Sequence, residues 1–145
     1  MVGIKVVSTG HAVPDKVVTN DDLSRVVDTN DEWIYSKTGI KERHFCENET
    51  NWELALKAAD IAIERAGIDK SEIGMLIVAT FTPDYATPSI ACVLHEKMGL
   101  RTDIPSFDLN AACAGYVYGL KVAASLLQSS KERYALVIGS EQIST

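Results

Sequence analysis

Apolar positions come in short blocks divided by polar, turn-forming residues, and the spacing inside each block separates strand from helix. Val2 to Thr9 is a β-branched apolar run with Lys5 inside it, closed by Gly10 and followed by Pro14, which predicts a buried first strand. Asn20 ahead of Asp21 and Asp22 predicts an N-cap and a helix over Asp21 to Val27. The amide oxygen accepts an orphan backbone N–H, and the carboxylates favour the positive helix end. A second helical piece is expected from Asp31 to Ser36, ended by Thr38-Gly39.

Thr50 and Glu53 have the spacing of a capping box, and Leu54, Ala58, Ile61, Ala62 and Arg65 follow at helical intervals as far as Gly67, the clearest helix of the chain. Met75 to Thr80 is a continuous apolar run of strand length. After the turn signal Thr82-Pro83-Asp84, Pro88-Ser89 opens a helix to about Met98, with Gly99 as its stop. Ser106 to Leu109 is a short strand, Ala114 to Ser129 a helix, and Tyr134 to Gly139 an aliphatic strand.

Strands apolar on both faces alternate with helices, which implies an α/β class with a mostly parallel sheet covered by helices, because parallel neighbours need crossover connections. One domain over residues 1–145 is expected, without repeat, linker or low-complexity segment. The sequence stops at Ser144-Thr145, directly after a strand, where α/β proteins carry functional loops. That position reads as truncation.

With 46% apolar and 23% charged residues the composition is that of a globular protein, and no stretch approaches the roughly 18 to 20 apolar residues of a membrane span. The start lacks a basic segment followed by a long apolar run and a small-residue cleavage site, so a soluble, cytoplasmic protein is expected. A net charge of -6 without a Lys/Arg cluster argues against nucleic acid as a partner, since such binding needs concentrated positive charge. Three cysteines, at 46, 92 and 113, and three histidines, at 11, 44 and 95, are widely spaced. No disulfide framework and no metal site follow from that pattern.

Cys113 stands apart from the other thiols. Asp108-Leu109-Asn110-Ala111-Ala112-Cys113-Ala114-Gly115 leaves a strand and enters a long helix with only small residues around the sulfur. A thiol at a helix start is expected to ionise more readily and to lie near backbone N–H groups able to hold a thioester oxyanion, here those of Ala114 and Gly115. Acyl transfer through a covalent thioester suits such a setting, although a free cysteine is also among the most commonly packed residues. Packing is the reading for Cys46, beside Phe45 on a strand end, and for Cys92, on an apolar helix face with Ile90 and Val93.

Several separated motifs resemble the amino-terminal half of 3-oxoacyl-acyl-carrier-protein synthase III, the initiating condensing enzyme family of type II fatty acid synthesis. They are Thr19-Asn20-Asp21-Asp22-Leu23, Asp31-Glu32-Trp33-Ile34, Thr38-Gly39-Ile40-Lys41-Glu42-Arg43-His44, Pro88-Ser89 and Ala111-Ala112-Cys113-Ala114-Gly115. The resemblance implies a thiolase-like fold of which residues 1–145 are the amino-terminal domain and the carboxyl-terminal half is absent. It implies that Cys113 takes an acyl group from acyl coenzyme A, and that the carbanion from decarboxylated malonyl-acyl carrier protein attacks the thioester. Coenzyme A enters as a substrate, and no cofactor is implied. The family's histidine and asparagine lie in its other half, so this fragment alone is not expected to condense; His11, His44 and His95 are read as structural or solvated.

By the same resemblance Trp33 stacks on the adenine of coenzyme A, with Thr29 as a nearby polar contact and Lys37 where many relatives carry arginine near the phosphates. Lys37 keeps the charge without the bidentate fork. Thr87 stands where short-primer relatives place an aromatic residue reaching into the partner's acyl pocket, which implies a roomier pocket for longer or branched primers. A homodimer is implied, with the last strand and the Thr82 to Pro88 loop at the subunit contact. Rival readings are a related condensing enzyme with a polyketide or quinolone starter, a noncatalytic scaffold fragment and, last, a thiol redox protein, which would need a resolving cysteine close by.

Overall fold

The computed structural model describes residues 3–144, which sort into two units: 3–12 with Thr50–Gln142, and Val13–Glu49 with 143–144. In the smaller unit β1 (Lys16–Thr19) pairs antiparallel with β2 (Glu42–Phe45), from Lys16 opposite Phe45 to Thr19 opposite Glu42. A strand end beside Phe45 was expected, but β1 and the pairing were not, because the strands are short and none of their residues is fully buried. Between them lie α1 (Asn20–Leu23) and α2 (Asp31–Thr38).

The cap of α1 is Thr19 and not Asn20. The Asp22 amide donates to Thr19 Oγ1, and the Thr19 amide donates to Asp22 Oδ2 at 3.0 Å. The Asn20 side chain is engaged elsewhere, donating to Asp31 Oδ1 at 2.7 Å and to the Ile40 carbonyl at 2.8 Å. The helix expected as far as Val27 stops at Leu23; Ser24 donates back to the Asp21 carbonyl, and Val26 and Val27 stay exposed with no surface to bury them. α2 runs to Thr38 and ends in Gly39 with φ 70°, a left-handed conformation that glycine adopts at no steric cost.

The larger unit contains α3 (Asn51–Ala66), β3 (Ile73–Ala79), α4 (Ile90–Met98), β4 (Ser106–Leu109), α5 (Gly115–Gln128) and β5 (Tyr134–Gly139). Its sheet is parallel in the order β4-β3-β5, with Ala79 opposite both Leu109 and Gly139. All of β3 is buried, and its alternation assigns each face. Leu76 and Val78 join the cluster of Ala59, Ile63, Ile90 and Leu94 from α3 and α4, whereas Met75 and Ile77 pack with Ala123 of α5. Each such aliphatic side chain, once fully buried, stabilises the fold by roughly 1.5–3 kcal/mol.

On α5, a Cβ at Gly119 would lie 3.1 Å from Val137 Cγ1, and one at Gly115 would lie 3.3 Å from Ala79 Cβ. Glycine at both positions lets the helix start press against the sheet. The capping box of Thr50 and Glu53 and the glycine stops at Gly67 and Gly99 are present as expected.

Residues 3–9 do not form the expected first strand; Val2 lies outside the described residues. The segment is not in a sheet ladder among the described residues, and a strand exists only when its N–H and C=O groups find a partner strand. It is tied instead to α3: Ser8 donates to the Ala62 carbonyl at 2.6 Å and Arg65 to the Thr9 carbonyl at 2.9 Å. A cavity of about 430 Å³ is lined by this segment together with α3, α5 and β5. No helix among the described residues is long and apolar enough to cross a membrane.

Candidate active site

The carboxyl ends of β3, β4 and β5 point the same way, so the segments that follow them emerge side by side. Cys113 follows β4, exposed, in a single 3-10 turn, Ala112–Ala114, and α5 begins only at Gly115. Ala112 has φ 44° and is the one non-glycine residue with positive φ among the described residues. An alanine held there is strained, and a tight strand-to-helix elbow is one way to lift a nucleophile clear of the backbone.

The donors nearest the sulfur differ from those expected. The Ala114 amide donates to Ala111 O at 3.1 Å and the Gly115 amide to Ala112 O, so both are engaged within the turn. A 3-10 turn delays the helix and takes up the amides that a helix beginning at Ala114 would have left open. The amide of Cys113 itself has no acceptor among the described residues.

Cys46 is buried, as read from the sequence, but Cys92 is exposed, with its thiol 3.8 Å from the Ser106 carbonyl. The apolar face of α4 is formed by Ile90, Ala91, Leu94 and Met98, and Cys92 lies off it. His44 donates to the Pro14 carbonyl at 2.6 Å, and His95 Nδ1 lies 2.7 Å from Ser106 Oγ, both structural contacts.

Thr87 belongs to the same unit as Cys113, exposed in the loop from β3 to α4. That loop is anchored at both ends. Asp84 accepts from the amides of Asn51 and Trp52 at 3.0 and 2.9 Å at the start of α3. At the other end Asp108 of β4 accepts from the amides of Ile90 and Ala91 at 2.9 and 2.8 Å. Trp33, Thr29 and Lys37 belong to the smaller unit. Trp33 is 57% exposed on the first turn of α2, held where the Asn30 side chain accepts from its amide. Lys37 is exposed on the last turn, where a cation also complements the helix dipole. The Thr29 hydroxyl is covered and unpartnered among the described residues, so a ligand reaches it only after the side chain rotates.

Two polar networks were missed. One centres on Asn20, 1% exposed, which accepts from Arg43 Nη2 at 2.6 Å while donating to Asp31. The other joins Asn51, Thr80, Thr82, Ser140 and Glu141 at the end of the sheet. The second had a sequence signal, polar residues close after apolar strands: Thr80 and Thr82 after β3, Ser140 and Glu141 after β5.

Comparison with known proteins bears on the chain as a whole. The family model described as FAE1/type III polyketide synthase-like protein matches residues 23–145. The beta-ketoacyl-acyl-carrier-protein synthase III of Acholeplasma laidlawii is 50% identical over 143 residues, which cover 98% of this chain and 46% of that protein. The crystal structure of 3-oxoacyl-acyl-carrier-protein synthase III from Aquifex aeolicus superposes with a TM-score of 0.91 at 41% identity, over 97% of this chain and 45% of that one. The priming beta-ketosynthase of the R1128 polyketide biosynthetic pathway has a TM-score of 0.89 at 33% identity, over 95% and 41%. The fold is therefore that of the thiolase-like condensing enzymes, and the chain spans about half the length of the curated relatives it matches.

Proposed function

Because the chain belongs to the FAE1/type III polyketide synthase-like protein family, we propose that residues 1–145 are the nucleophile-bearing, amino-terminal half of a condensing acyltransferase that begins fatty acid synthesis. The observation that carries this reading is the strained elbow at Ala112, which holds Cys113 exposed at the carboxyl end of a parallel sheet whose central strand is buried.

In the reaction, Cys113 Sγ attacks the carbonyl of acyl coenzyme A; the new carbon–sulfur bond replaces the old one, and the coenzyme leaves as its thiol. Malonyl-acyl carrier protein loses carbon dioxide, the carbanion attacks the enzyme thioester, and the Cys113 thiolate departs as a 3-oxoacyl thioester forms. The free Cys113 amide is a donor for the oxyanion of the first step. The enolate of the second step needs donors in a dry pocket. His44 and His95 are committed to structural contacts, so we assign those donors to the part of the relatives' length that this chain does not span.

Trp33 offers an exposed indole face to the adenine of coenzyme A, Lys37 a cation to its phosphates, and Thr29 a hydroxyl after rotation. Thr87, small and exposed, leaves room in the primer pocket. The working assembly is a cytoplasmic homodimer that meets acyl coenzyme A and an acyl carrier protein, with no metal or further cofactor.

Intact mass spectrometry tests the proposal. The full-length protein, incubated with acyl coenzyme A, is expected to gain the mass of one acyl group, and Cys113→Ala to gain none; equal labelling of both sinks it. A polyketide-priming role is the second reading, favoured by Thr87 and by the likeness to the R1128 ketosynthase. Product analysis with defined malonyl thioesters separates the two, since they differ in the second substrate.

A further inference from the structure

α2 has little apolar hold on its surroundings. Of its eight residues only Ile34 is buried, and a helix of that length is marginal by itself. What fixes it is polar, and most of that comes from one residue. Asn20 follows β1 directly and is 1% exposed. Its Nδ2 donates to Asp31 Oδ1 at 2.7 Å, on the first residue of α2, and to the Ile40 carbonyl at 2.8 Å, just past the last. Its backbone amide donates to the Lys41 carbonyl at 3.1 Å. Asn20 therefore grips α2 at both ends. Arg43 of β2 fixes the grip in turn: Nη2 donates to Asn20 Oδ1 at 2.6 Å and Nη1 to the Val18 carbonyl at 3.1 Å, across the ladder in which Val18 lies opposite Arg43.

The spacing along α2 gives this grip a consequence. Asp31 and Ile34 are three residues apart and share the face that is held, while Trp33 and Lys37 are four apart and share another. Trp33 is 57% exposed. A rotation of α2 about its axis swings ring and cation together, and the burial of Ile34 opposes it weakly. The bonds from Asn20 to the two ends are what hold the angle.

We propose that Asn20 is a positioning residue for coenzyme A: by tying both ends of α2 to the β1–β2 pair it sets the angle at which Trp33 meets the adenine ring and Lys37 the phosphates. This rests on Trp33 and Lys37 contacting the coenzyme, as read above. An amide suits the position because it donates two hydrogen bonds and accepts from Arg43 as well. In Asn20→Asp the shape is kept and Arg43 is still met, but a carboxylate then faces the Asp31 carboxylate and the Ile40 carbonyl, and both ends of α2 are released.

The experiment uses the full-length protein and two primers with the same acyl group, acyl coenzyme A and the acyl thioester of pantetheine, which lacks the nucleotide. Steady-state kinetics are measured for wild type, for Asn20→Asp, and for Asn20→Asp combined with Asp31→Asn, which exchanges donor and acceptor between the two positions. Asn20→Asp is expected to raise KM for acyl coenzyme A about tenfold, as loss of a stacked ring and a phosphate contact warrants. Its kcat and its KM for the pantetheine thioester should change less than about twofold. The combined variant should return KM for acyl coenzyme A to within about threefold of wild type. Asp31→Ala, which frees only the first end of α2, carries the test with the same split between primers if Asn20→Asp does not fold. Equal changes with both primers, an unchanged KM for acyl coenzyme A, or a combined variant no better than Asn20→Asp overturns the assignment. Trp33→Ala separates this proposal from the one beneath it. If that variant leaves KM for acyl coenzyme A unchanged, the contact with the coenzyme is overturned and the role of Asn20 with it; if it raises KM and Asn20→Asp does not, the positioning role alone falls.

Discussion

The larger unit is organised around β3, whose seven residues are all buried, whereas the smaller is organised around the side chain of one asparagine. Among the described residues the smaller unit buries only Ile34 and Cys46 as apolar groups. Its shape is held by directed bonds: Arg43 to the Val18 carbonyl and to Asn20, and Asn20 to Asp31 and to the Ile40 carbonyl. Apolar packing is non-directional and weakens in proportion to the volume removed. A hydrogen-bond hub is directional, and removing its centre leaves several polar groups without partners. The difference suits the roles proposed for each unit. A sheet packed on both faces can hold a strained elbow under Cys113, and a polar hub can orient an exposed ring such as Trp33 with little core.

The largest effect expected from breaking this contrast is Leu76→Ala, at 0% exposure in the middle of β3. It should cost about 2–5 kcal/mol through lost transfer energy and the cavity left behind, measured by urea unfolding of the full-length protein. Asn20→Ala should cost less overall, about 1–3 kcal/mol, but its damage should be local. Limited proteolysis is expected to cut within 13–49 while the sheet survives. Cleavage spread over both units would show that the smaller unit does not depend on its hub.

Thr50→Ala tests a boundary instead of a centre. It removes the N-cap of α3, whose hydroxyl donates to Glu53 at 2.8 Å, and should lower stability by about 1 kcal/mol. Hydrogen exchange should quicken in the first turn of α3.

The smallest effect is in acid. The Glu49 carboxylate accepts from its own amide and from those of Glu47, Asn48 and Asp15, which hold its pKa down from 4.5 to about 2. A depressed folded-state pKa contributes stability above the unfolded value, and that stability is lost as pH falls through the folded one. Wild type should therefore lose an increment between pH 4.5 and about 2 that Glu49→Gln does not show. Because the group lies at the surface, the increment is small and solvent-screened. Matching acid-unfolding curves for the two proteins would remove Glu49 from the account.

Much of the larger unit was legible because its signals are local. The Thr50/Glu53 box, the Ser89 cap and the glycine stops are encoded within four residues of the backbone groups they satisfy. The placement of Cys113 was legible for the same reason: small residues flank it on a strand-to-helix crossing. The first strand was misread because β-branched composition reports suitability for a sheet and says nothing of whether a partner strand is adjacent. Asn20 was misread because its three partners lie 11, 20 and 23 residues away, while a capping role needs only the next turn. The donors around Cys113 were misassigned because one 3-10 turn shifts the helix start by a residue, a displacement below the precision of pattern reading.

By itself the sequence determined the order of strands and helices from Thr50 onward, the class of the sheet they form and the strand-to-helix placement of Cys113, since periodicity, caps and crowding act over a few residues. Only the tertiary structure decided which strands pair, which amides near Cys113 stay free, and that Glu141 and Asn51, 90 positions apart, both bond Thr80 at the end of the sheet. Those outcomes depend on groups brought together from far along the chain, where a hydrogen bond requires an ångström-scale approach that no local pattern specifies.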